Sequence, residues 1–339
     1  MSTTLAPARA AAAAADPTSA SRTPRVSVVI PAKNEAASLP SLLRSLHGLD
    51  FPADRLELIV VDHGSRDATA TVAAAAGARV LPHAGGTVAA ARNAGARAAR
   101  GGVLAFLDAD CSVAPDWLTR ALSHFEDPTV GAAGSYYTIP LDRPTWVRRV
   151  LHAQAEGLPA DGDATWVPAG NFVVRRDVFW KAGAFDEALT TCEDVDLCVR
   201  LTRTHRVVND RRIRCLHHGE PASLRELFRK ELWRGRDNVA GAFRHGLTWR
   251  EVPSLLLPFA FLLALLTLAT SPLLAAVLGR APAGLALAAL AIACVPVLAI
   301  AGAISGRARR PGAFLPALPV AACYLAARGL APLRRWKHV

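Results

Sequence analysis

Two aspartates, Asp108 and Asp110, stand one residue apart directly after the apolar segment 103–107. Such a short apolar run predicts a buried strand, and in an α/β sheet the carboxyl ends of the strands line the ligand-binding crevice. Two carboxylates in that place suit a divalent cation that also binds a pyrophosphate, because hard cations prefer oxygen ligands. A solvated turn or a helix cap would explain the same two residues. The spacing itself is common in this chain and recurs at Asp161/Asp163 and Asp194/Asp196.

The elements that would position these acids alternate between strands and helices. The β-branched runs 26–31 and 56–61 predict buried parallel strands. Leucines at helical spacing follow the first run and an Ala-rich segment follows the second, so the alternation predicts a doubly wound α/β sheet. Further along we expect a strand over 79–81, a helix over 88–99, a helix over 117–125, a strand over 166–174 and a helix start over 177–182.

Familiar nucleotide-binding and metal-binding motifs are missing from the sequence. It contains neither a G-x-G-x-x-G motif nor a G-x-x-x-x-G-K-[ST] motif, which disfavours a Rossmann dinucleotide site and a P-loop. The six cysteines form no C-x-x-C pair, so neither a zinc site nor a disulfide framework is indicated. A nucleotide bound at the sheet edge would have to be held by other residues.

The C-terminal part of the chain is strongly apolar. Residues 252–279 and 281–306 contain no charged side chain, and each stretch exceeds the roughly 20 residues that a membrane-spanning helix needs. Residues 311–327 are also uncharged, but this segment is shorter and interrupted by prolines. We therefore expect a transmembrane region over 248–339, with helices at about 253–278 and 283–305 and a third over 312–330 left open.

The distribution of positive charge indicates the partner and the orientation. Basic residues crowd around the apolar segments, so the formal net charge of +11 favours acidic phospholipid over nucleic acid. Two spans would return the chain to the cytosol at 307–310, as the positive-inside rule requires. A third full span would place Arg334, Arg335 and Lys337 outside, against the same rule.

Two more regions complete the expected organisation. Residues 1–24 lack a continuous Leu-rich core and a basic start, which predicts a disordered leader rather than a signal peptide. Region 223–247 begins with apolar residues at helical spacing beside arginines, which predicts an amphipathic helix at a membrane surface. A basic solvated helix face is the alternative. Residues 25–222 would then form the α/β domain.

Five segments in this order carry a resemblance to a known family. They are Val-Ser-Val-Val-Ile-Pro-Ala-Lys-Asn-Glu (26–35), Val-Val-Asp-x-Gly-Ser-x-Asp (60–67), Ala-Arg-Asn-x-Gly (91–95), Phe-Leu-Asp-Ala-Asp (106–110) and Glu-Asp-Val-Asp-Leu (193–197). Over roughly residues 25–240 the chain resembles the family-2 inverting glycosyltransferases of the GT-A fold. The resemblance implies a GT-A doubly wound mixed sheet, a nucleotide-diphosphate sugar donor and a Mg²⁺ or Mn²⁺ cofactor.

The resemblance also implies roles for individual residues. Asp194, with Glu193 beside it, would be the catalytic base, and Asp110 would ligate the cation with His217 as a further metal or phosphate contact. A structural histidine explains His217 equally well, and a charged helix start explains the acids at 193–196. The implied donor-binding residues are Pro31, Ala32, Asn34, Glu35, Asp62, Arg92, Asn93 and Asp108.

Two departures from the family pattern narrow the expectation. Many relatives have two consecutive acids after the second strand, the latter contacting uracil, whereas here the second position is His63. Processive polymer synthases of the family carry a Gln-x-x-Arg-Trp signature, which the comparable segment 230–234 lacks. The base therefore stays open, and transfer of a single sugar is favoured over polymer synthesis.

Together these observations predict a multi-pass protein of the cell (inner) membrane with a cytoplasmic catalytic domain. It would be a metal-dependent glycosyltransferase of the hexosyltransferase type, acting on a lipid-linked or polysaccharide acceptor and not on nucleic acid. Two alternatives stay open: a polyprenyl-phosphate glycosyltransferase, and a non-catalytic membrane subunit that keeps the GT-A fold. A nucleotidyltransferase is disfavoured, because its Gly-rich basic loop is replaced by residues 32–35.

Overall fold

The structure is a computed structural model, and it describes residues 26–142, 144–158, 161–237, 252–279 and 283–333. The expected leader, residues 1–24, lies outside the described residues. The same holds for residues 238–247 of the expected interfacial region.

One mixed sheet organises the N-terminal part of the chain. Its eight strands have the order β3-β2-β1-β4-β8-β6-β9-β7, and β5 and β10 form a separate antiparallel pair. β1 to β4 are mutually parallel, whereas β8 runs antiparallel between β4 and β6. The predicted α/β fold with a doubly wound mixed sheet is confirmed. The strands are β1 (Val26–Ala32), β2 (Leu56–Asp62), β3 (Arg79–Pro82), β4 (Val103–Leu107), β5 (Cys111–Val113), β6 (Val130–Gly134), β7 (Gly162–Asp163), β8 (Asn171–Arg175), β9 (Arg206–Asn209) and β10 (Cys215–His217).

Helices cover both faces of this sheet because successive side chains of its strands point to opposite sides. Leu42, Leu46 and Trp117 belong to the core on one face, while Phe106 and Phe179 belong to the core on the other. The helices are α1 (Leu39–His47), α2 (Thr69–Ala75), α3 (Val88–Ala98), α4 (Trp117–Ser123), α5 (Trp146–Glu156), α6 (Arg176–Lys181), α7 (Glu193–Leu201), α8 (Leu224–Arg234), α9 (Val252–Leu278), α10 (Ala283–Arg307) and α11 (Phe314–Leu330).

The prediction of a strand over 166–174 is wrong for residues 166–170. β8 begins only at Asn171, and the amide of Asn171 donates to the carbonyl of Pro168 at 3.0 Å, which closes a turn. Pro168 has no N–H to donate to a sheet ladder. Gly170 lies so close to Asp108 that an added Cβ would be 2.2 Å from its Oδ2 atom. The chain therefore turns towards Asp108 before it joins the sheet.

Three C-terminal segments are long and apolar enough to cross a membrane, by length and composition: Val252–Val277, Ala283–Arg307 and Pro311–Leu333. They do not stand apart from the sheet domain. Val150 of α5 and Leu227 of α8 share a buried cluster with Ile304 of α10 and Val320 of α11. Two of the three apolar helices, α10 and α11, thus share one buried cluster with α5 and α8.

Candidate active site

The carboxyl ends of β1 and β2 form one wall of a cleft. Ala32 and Asp62 are register partners, and Pro31 and Ala32 are buried. Asn34 adopts a left-handed conformation with φ 58°, which Asn tolerates better than most residues. Its Oδ1 atom accepts from the Arg66 amide at 2.8 Å, and its own amide donates to Ser65 Oγ at 2.9 Å. Asn34 therefore ties the two loops together.

Two carboxylates of this wall are held by local hydrogen bonds. Asp62 Oδ1 accepts from the Ser65 amide at 3.1 Å, which fixes the start of the loop after β2. The Glu35 carboxylate accepts from the Ser38 hydroxyl. Partial burial raises the pKa of Glu35, the Ser38 hydroxyl opposes the rise, and the charges of Asp110 and Asp108 add to it. Glu35 thus lies within electrostatic reach of the acids after β4.

Arg92 of α3 joins two acids from distant parts of the chain. Its Nη2 atom lies 2.7 Å from Asp108 Oδ1, and its Nη1 atom lies 2.6 Å from Glu193 Oε1. Tyr137 donates from its hydroxyl to Asp108 Oδ2 at 2.9 Å. Burial alone would raise the pKa of Asp108, but Arg92 outweighs it and holds that pKa below its ordinary value. We call these residues, Arg92, Asp108, Tyr137 and Glu193, the arginine cluster.

The first turn of α7 carries the predicted base. Asp194 Oδ2 accepts from the Ala169 amide at 3.2 Å, and Oδ1 accepts from the Val195 amide at 2.8 Å. Burial raises the pKa of Asp194 against the opposing charge of Arg92. Burial likewise raises the pKa of Glu193 to about 7. Neither acid is a fully solvated helix start, since Glu193 is buried and Asp194 is partly buried.

A second group of side chains lies on the other side of Asp108. The antiparallel pairing of β5 with β10 sets His217 opposite Cys111, and His217 Nε2 lies 3.5 Å from Asp110 Oδ1. His217 Nδ1 lies 3.6 Å from Glu220 Oε1 and has no hydrogen-bond partner among the described residues. We call Asp110, His217 and Glu220 the histidine cluster.

The histidine cluster fits a divalent cation. Ligand atoms of Asp110, Cys111 and His217 all lie within 4.8 Å of one another. A carboxylate and an imidazole suit Mn²⁺, and a carboxylate also suits Mg²⁺. The Cys111 thiol is a poor ligand for such hard cations, and the neighbouring Cys215 thiol and burial raise its pKa well above the ordinary value. Asp110 and His217 are therefore the residues of this group that would hold the ion.

Glycine is required behind both acids that follow β4. At Gly219 an added Cβ would lie 1.9 Å from Asp110 Oδ2, and at Gly170 it would lie 2.1 Å from the Tyr137 hydroxyl. The backbone therefore packs directly against each carboxylate. No motif in the sequence singles out Tyr137, Gly170, Gly219 or Glu220. The signal that could have found Gly219 and Glu220 is the Leu-His-His-Gly-Glu-Pro run around His217.

Other acidic and polar residues have structural partners. The Asn93 amide donates to the Phe185 carbonyl at 2.8 Å and to Glu187 Oε1 at 2.9 Å, and its oxygen accepts from the Phe185 amide. Asp196 pairs with Arg200 at 2.6 Å. The His63 ring lies 5.7 Å from that of His83. The structure thus brings Arg92, Glu193 and Asp194 to Asp108, whereas Asn93 holds the segment before α7.

A cavity of about 430 Å³ lies elsewhere, at the β9–β7 edge of the sheet. It is lined by Asp127, Arg206, Asp210 and Arg212, among others. These charges already form ion pairs, Arg206 with Asp127 at 2.8 Å and Arg212 with Asp210 at 2.9 Å. The cavity contains none of the sequence-predicted site residues, so we place the site at the cleft.

The strand order and the paired acids after β4 define a GT-A type glycosyltransferase fold. A mannosyltransferase from Pyrobaculum calidifontis, solved in complex with GDP-Man and Mn²⁺, superposes with a TM-score of 0.58 over 92% of this chain and 88% of that chain. The two sequences are 22% identical, so this likeness concerns the fold.

Part of the sequence matches a family profile. The profile described as glycosyl transferase family 2 matches residues 27–183. The predicted resemblance is confirmed. Pre-mycofactocin glycosyltransferase of Mycobacterium tuberculosis is 33% identical over 234 residues, which make up 65% of this chain and 48% of that protein. Glycosyltransferase AglE of Haloferax volcanii is 31% identical over 188 residues, 53% of this chain and 62% of that protein. The chain thus spans about half the length of its mycobacterial relative.

Proposed function

We propose that the chain is a membrane-anchored inverting glycosyltransferase that uses Mn²⁺ or Mg²⁺. It transfers one sugar from a nucleotide-diphosphate sugar to a lipid-linked or polysaccharide acceptor, with its catalytic domain on the cytoplasmic face of the cell membrane. The observation that carries the proposal is the arginine cluster, in which Arg92 joins Asp108 to Glu193 at 2.7 and 2.6 Å. This bridge holds Asp108, which we assign to the donor side, next to the first turn of α7 in the same cleft.

The donor would lie along the carboxyl ends of β1, β2 and β4. Asp110 and His217 would hold the cation, which when bound neutralises charge on the leaving diphosphate. Asp108, fixed by Arg92 and Tyr137, faces the same space and would accept hydrogen bonds from the ribose or the sugar. The remaining contacts that we propose for the nucleotide come from Pro31, Ala32, Asn34, Glu35 and Asp62, with Arg92 and Asn93 supporting the cleft.

Asp194 would act as the general base towards the acceptor. Its two backbone hydrogen bonds fix the carboxylate, while burial raises its pKa and makes it a stronger proton acceptor. The acceptor hydroxyl gives its proton to Asp194 as its oxygen forms the bond to the anomeric carbon. The bond from that carbon to the diphosphate breaks on the opposite face, so one displacement inverts the configuration.

Calorimetry tests the donor site directly. UDP, GDP and dTDP are titrated with and without Mn²⁺ into the wild type and Asp110→Asn. We expect one nucleotide to bind only with Mn²⁺ and the variant to lose that binding. If none of the three nucleotides binds, the result would contradict the donor site and favour a non-catalytic membrane subunit.

One observation supports a phosphate acceptor as the second candidate. Lys230 and Arg234 of α8 lie 3.2 and 3.3 Å from Glu220 Oε1, between the histidine cluster and the apolar helices. Cations in this position suit a polyprenyl phosphate. A phosphate oxygen needs no strong base, so transfer that survives Asp194→Asn would favour this acceptor over a hydroxyl.

A further inference from the structure

The two ends of α11 both contact the sheet domain. Before its first turn, Arg310 Nη2 lies 3.1 Å from Glu156 Oε2 at the end of α5. In its last turn, Arg328 Nε lies 2.8 Å from Glu231 Oε2 of α8. A helix of this length rises roughly 25 Å, which is close to the thickness of the hydrocarbon layer. A spanning α11 would carry one of these ends to the far side of the membrane.

Helix α8 lies beside α11 over most of its length. The Cys323 thiol lies 3.5 Å from the Leu224 carbonyl, and Leu232 shares a buried cluster with Ala327 and Ala331. α8 itself is fixed to the cleft, because Lys230 and Arg234 pair with Glu220. Since α8 stays with the catalytic domain, the part of α11 that follows it stays there too.

Helices α9 and α10 contact α11 near their domain-facing ends. An added Cβ at Gly329 would lie 2.6 Å from the carbonyl oxygen of Pro258, in the second turn of α9. Ile304, in the last turn of α10, shares a cluster with Ala317 and Val320. α11 thus crosses the α9–α10 pair near the α9 start and the α10 end instead of running parallel to both.

The exposed side chains around α11 are of two kinds, apolar and basic. Leu315, at 72% exposure, and Leu330, at 38%, lie on the uncovered side of the last apolar segment. Exposed arginines surround the same region and have no acidic partner among the described residues: Arg149, Arg225, Arg229, Arg307 and Arg309. Apolar side chains in the acyl layer with arginines at the phosphate level are typical of a helix in the membrane interface.

We propose that α11 lies in the plane of the membrane leaflet next to the catalytic domain, and that the chain crosses the bilayer twice. With α5 and α8 it forms a platform whose arginines bind the phosphate groups of anionic lipids. This inference rests on the membrane anchoring given under Proposed function.

Cysteine labelling in sealed vesicles tests the placement of α11. Leu333→Cys reports the end of the segment that contains α11, and Val277→Cys reports the far end of α9. Lys181→Cys, at an exposed position of α6, reports the catalytic domain. The unchanged full-length chain, with its six cysteines, supplies the background. In vesicles with the catalytic domain outside, a membrane-impermeant maleimide should label Leu333→Cys and Lys181→Cys before detergent, and Val277→Cys only afterwards.

The other outcomes separate the two claims. Labelling of Leu333→Cys only after detergent, together with Val277→Cys, would show that α11 crosses the membrane and would overturn the inference. Labelling of Val277→Cys before detergent would instead contradict membrane spanning itself, and with it the proposed anchoring.

Lipid retention tests the platform. The full-length protein is extracted from membranes that contain phosphatidylglycerol, and bound lipid is counted by native mass spectrometry. We expect the double variant Arg225→Gln/Arg229→Gln to lose at least half of the bound phosphatidylglycerol, because these arginines face the headgroups. Arg203→Gln, an exposed arginine after α7, is the matched control and should retain it. Equal retention in both variants would overturn the lipid contact.

Discussion

Asp108 and Asp110 are neighbours in the chain, but their carboxylates belong to clusters with different packing. In the arginine cluster every contact that we describe is a hydrogen bond of 2.6 to 2.9 Å. In the histidine cluster His217 lies 3.5 Å from Asp110 and 3.6 Å from Glu220, and its Nδ1 atom is unpaired among the described residues. The carboxylates of the first cluster are held by short hydrogen bonds, although Arg92 Nε has no partner among the described residues, whereas the second cluster has ligands for a cation at longer spacing. Five predictions test this difference.

The largest effect is expected at Asp110. Asp110→Asn removes the charged ligand of the histidine cluster, and loss of metal stabilisation of about 5 kcal/mol corresponds to roughly 10⁴-fold in kcat/KM. Steady-state transfer assays and Mn²⁺ binding by electron paramagnetic resonance measure both effects. Asp163→Asn, which belongs to another D-x-D pair, should keep wild-type values. Unchanged Mn²⁺ affinity in Asp110→Asn would place the ion elsewhere.

Asp194→Asn is expected to lower kcat by about 10³-fold, because a general base contributes roughly 10² to 10⁴. Donor and Mn²⁺ binding should persist, since Asp194 is not one of the two proposed cation ligands. Asp196→Asn on the same helix controls for damage to α7, as Asp196 pairs with Arg200. A kcat loss in Asp196→Asn as large as in Asp194→Asn would argue for a structural role of both.

Arg92→Met should destabilise the fold, because it leaves Asp108 and Glu193 without their shared partner. Removal of one member of a buried ion pair costs about 3 kcal/mol or more. Denaturant unfolding of the sheet domain would detect this loss in the free energy of unfolding. Arg97→Met removes an exposed pair with Glu187 from the same helix and should cost less than ~1 kcal/mol. Equal losses would contradict a stabilising role for the buried ion pairs of Arg92.

Glu220→Gln should weaken Mn²⁺ binding by about 10- to 100-fold, as is usual when a carboxylate behind a histidine ligand is replaced. Burial alone would raise the pKa of Glu220, but Arg234, Lys230 and His217 lower it to about 2. The Glu220 carboxylate is therefore charged at neutral pH. Glu226→Gln, exposed on α8, is the control, and equal Mn²⁺ affinity in both variants would exclude Glu220 from the site.

The last prediction concerns the pH dependence of stability. The pKa of Glu193 is about 7 in the folded chain against an ordinary 4.5. Between these values the folded state binds more protons than the unfolded state, so the free energy of unfolding falls as pH rises through that window. Melting temperatures of the wild type should show this fall, and those of Glu193→Gln should lack it. Parallel curves for the two proteins would refute the assignment.

The strands next to the donor wall could be predicted because they are continuous apolar runs with a clear end. β1, β2 and β4 lie within one residue of the expected bounds, and the acids after β4 followed from them. The histidine cluster depends instead on the pairing of β5 and β10, each three residues long. Such short strands have no measurable periodicity. Tyr137 and Glu220 reach the cleft only through this tertiary pairing.

The thickness of α8 has a consequence for the acceptor. This helix separates Glu220, beside Asp110 and His217, from α11, so one helix diameter of about 10 Å lies between the proposed metal group and the proposed membrane plane. The cleft would then lie at a fixed distance above the surface of the bilayer. Under the proposed function, a lipid whose reactive oxygen lies close to the headgroups would reach the donor, whereas each added sugar would carry that oxygen beyond the donor and limit the product to a short glycan.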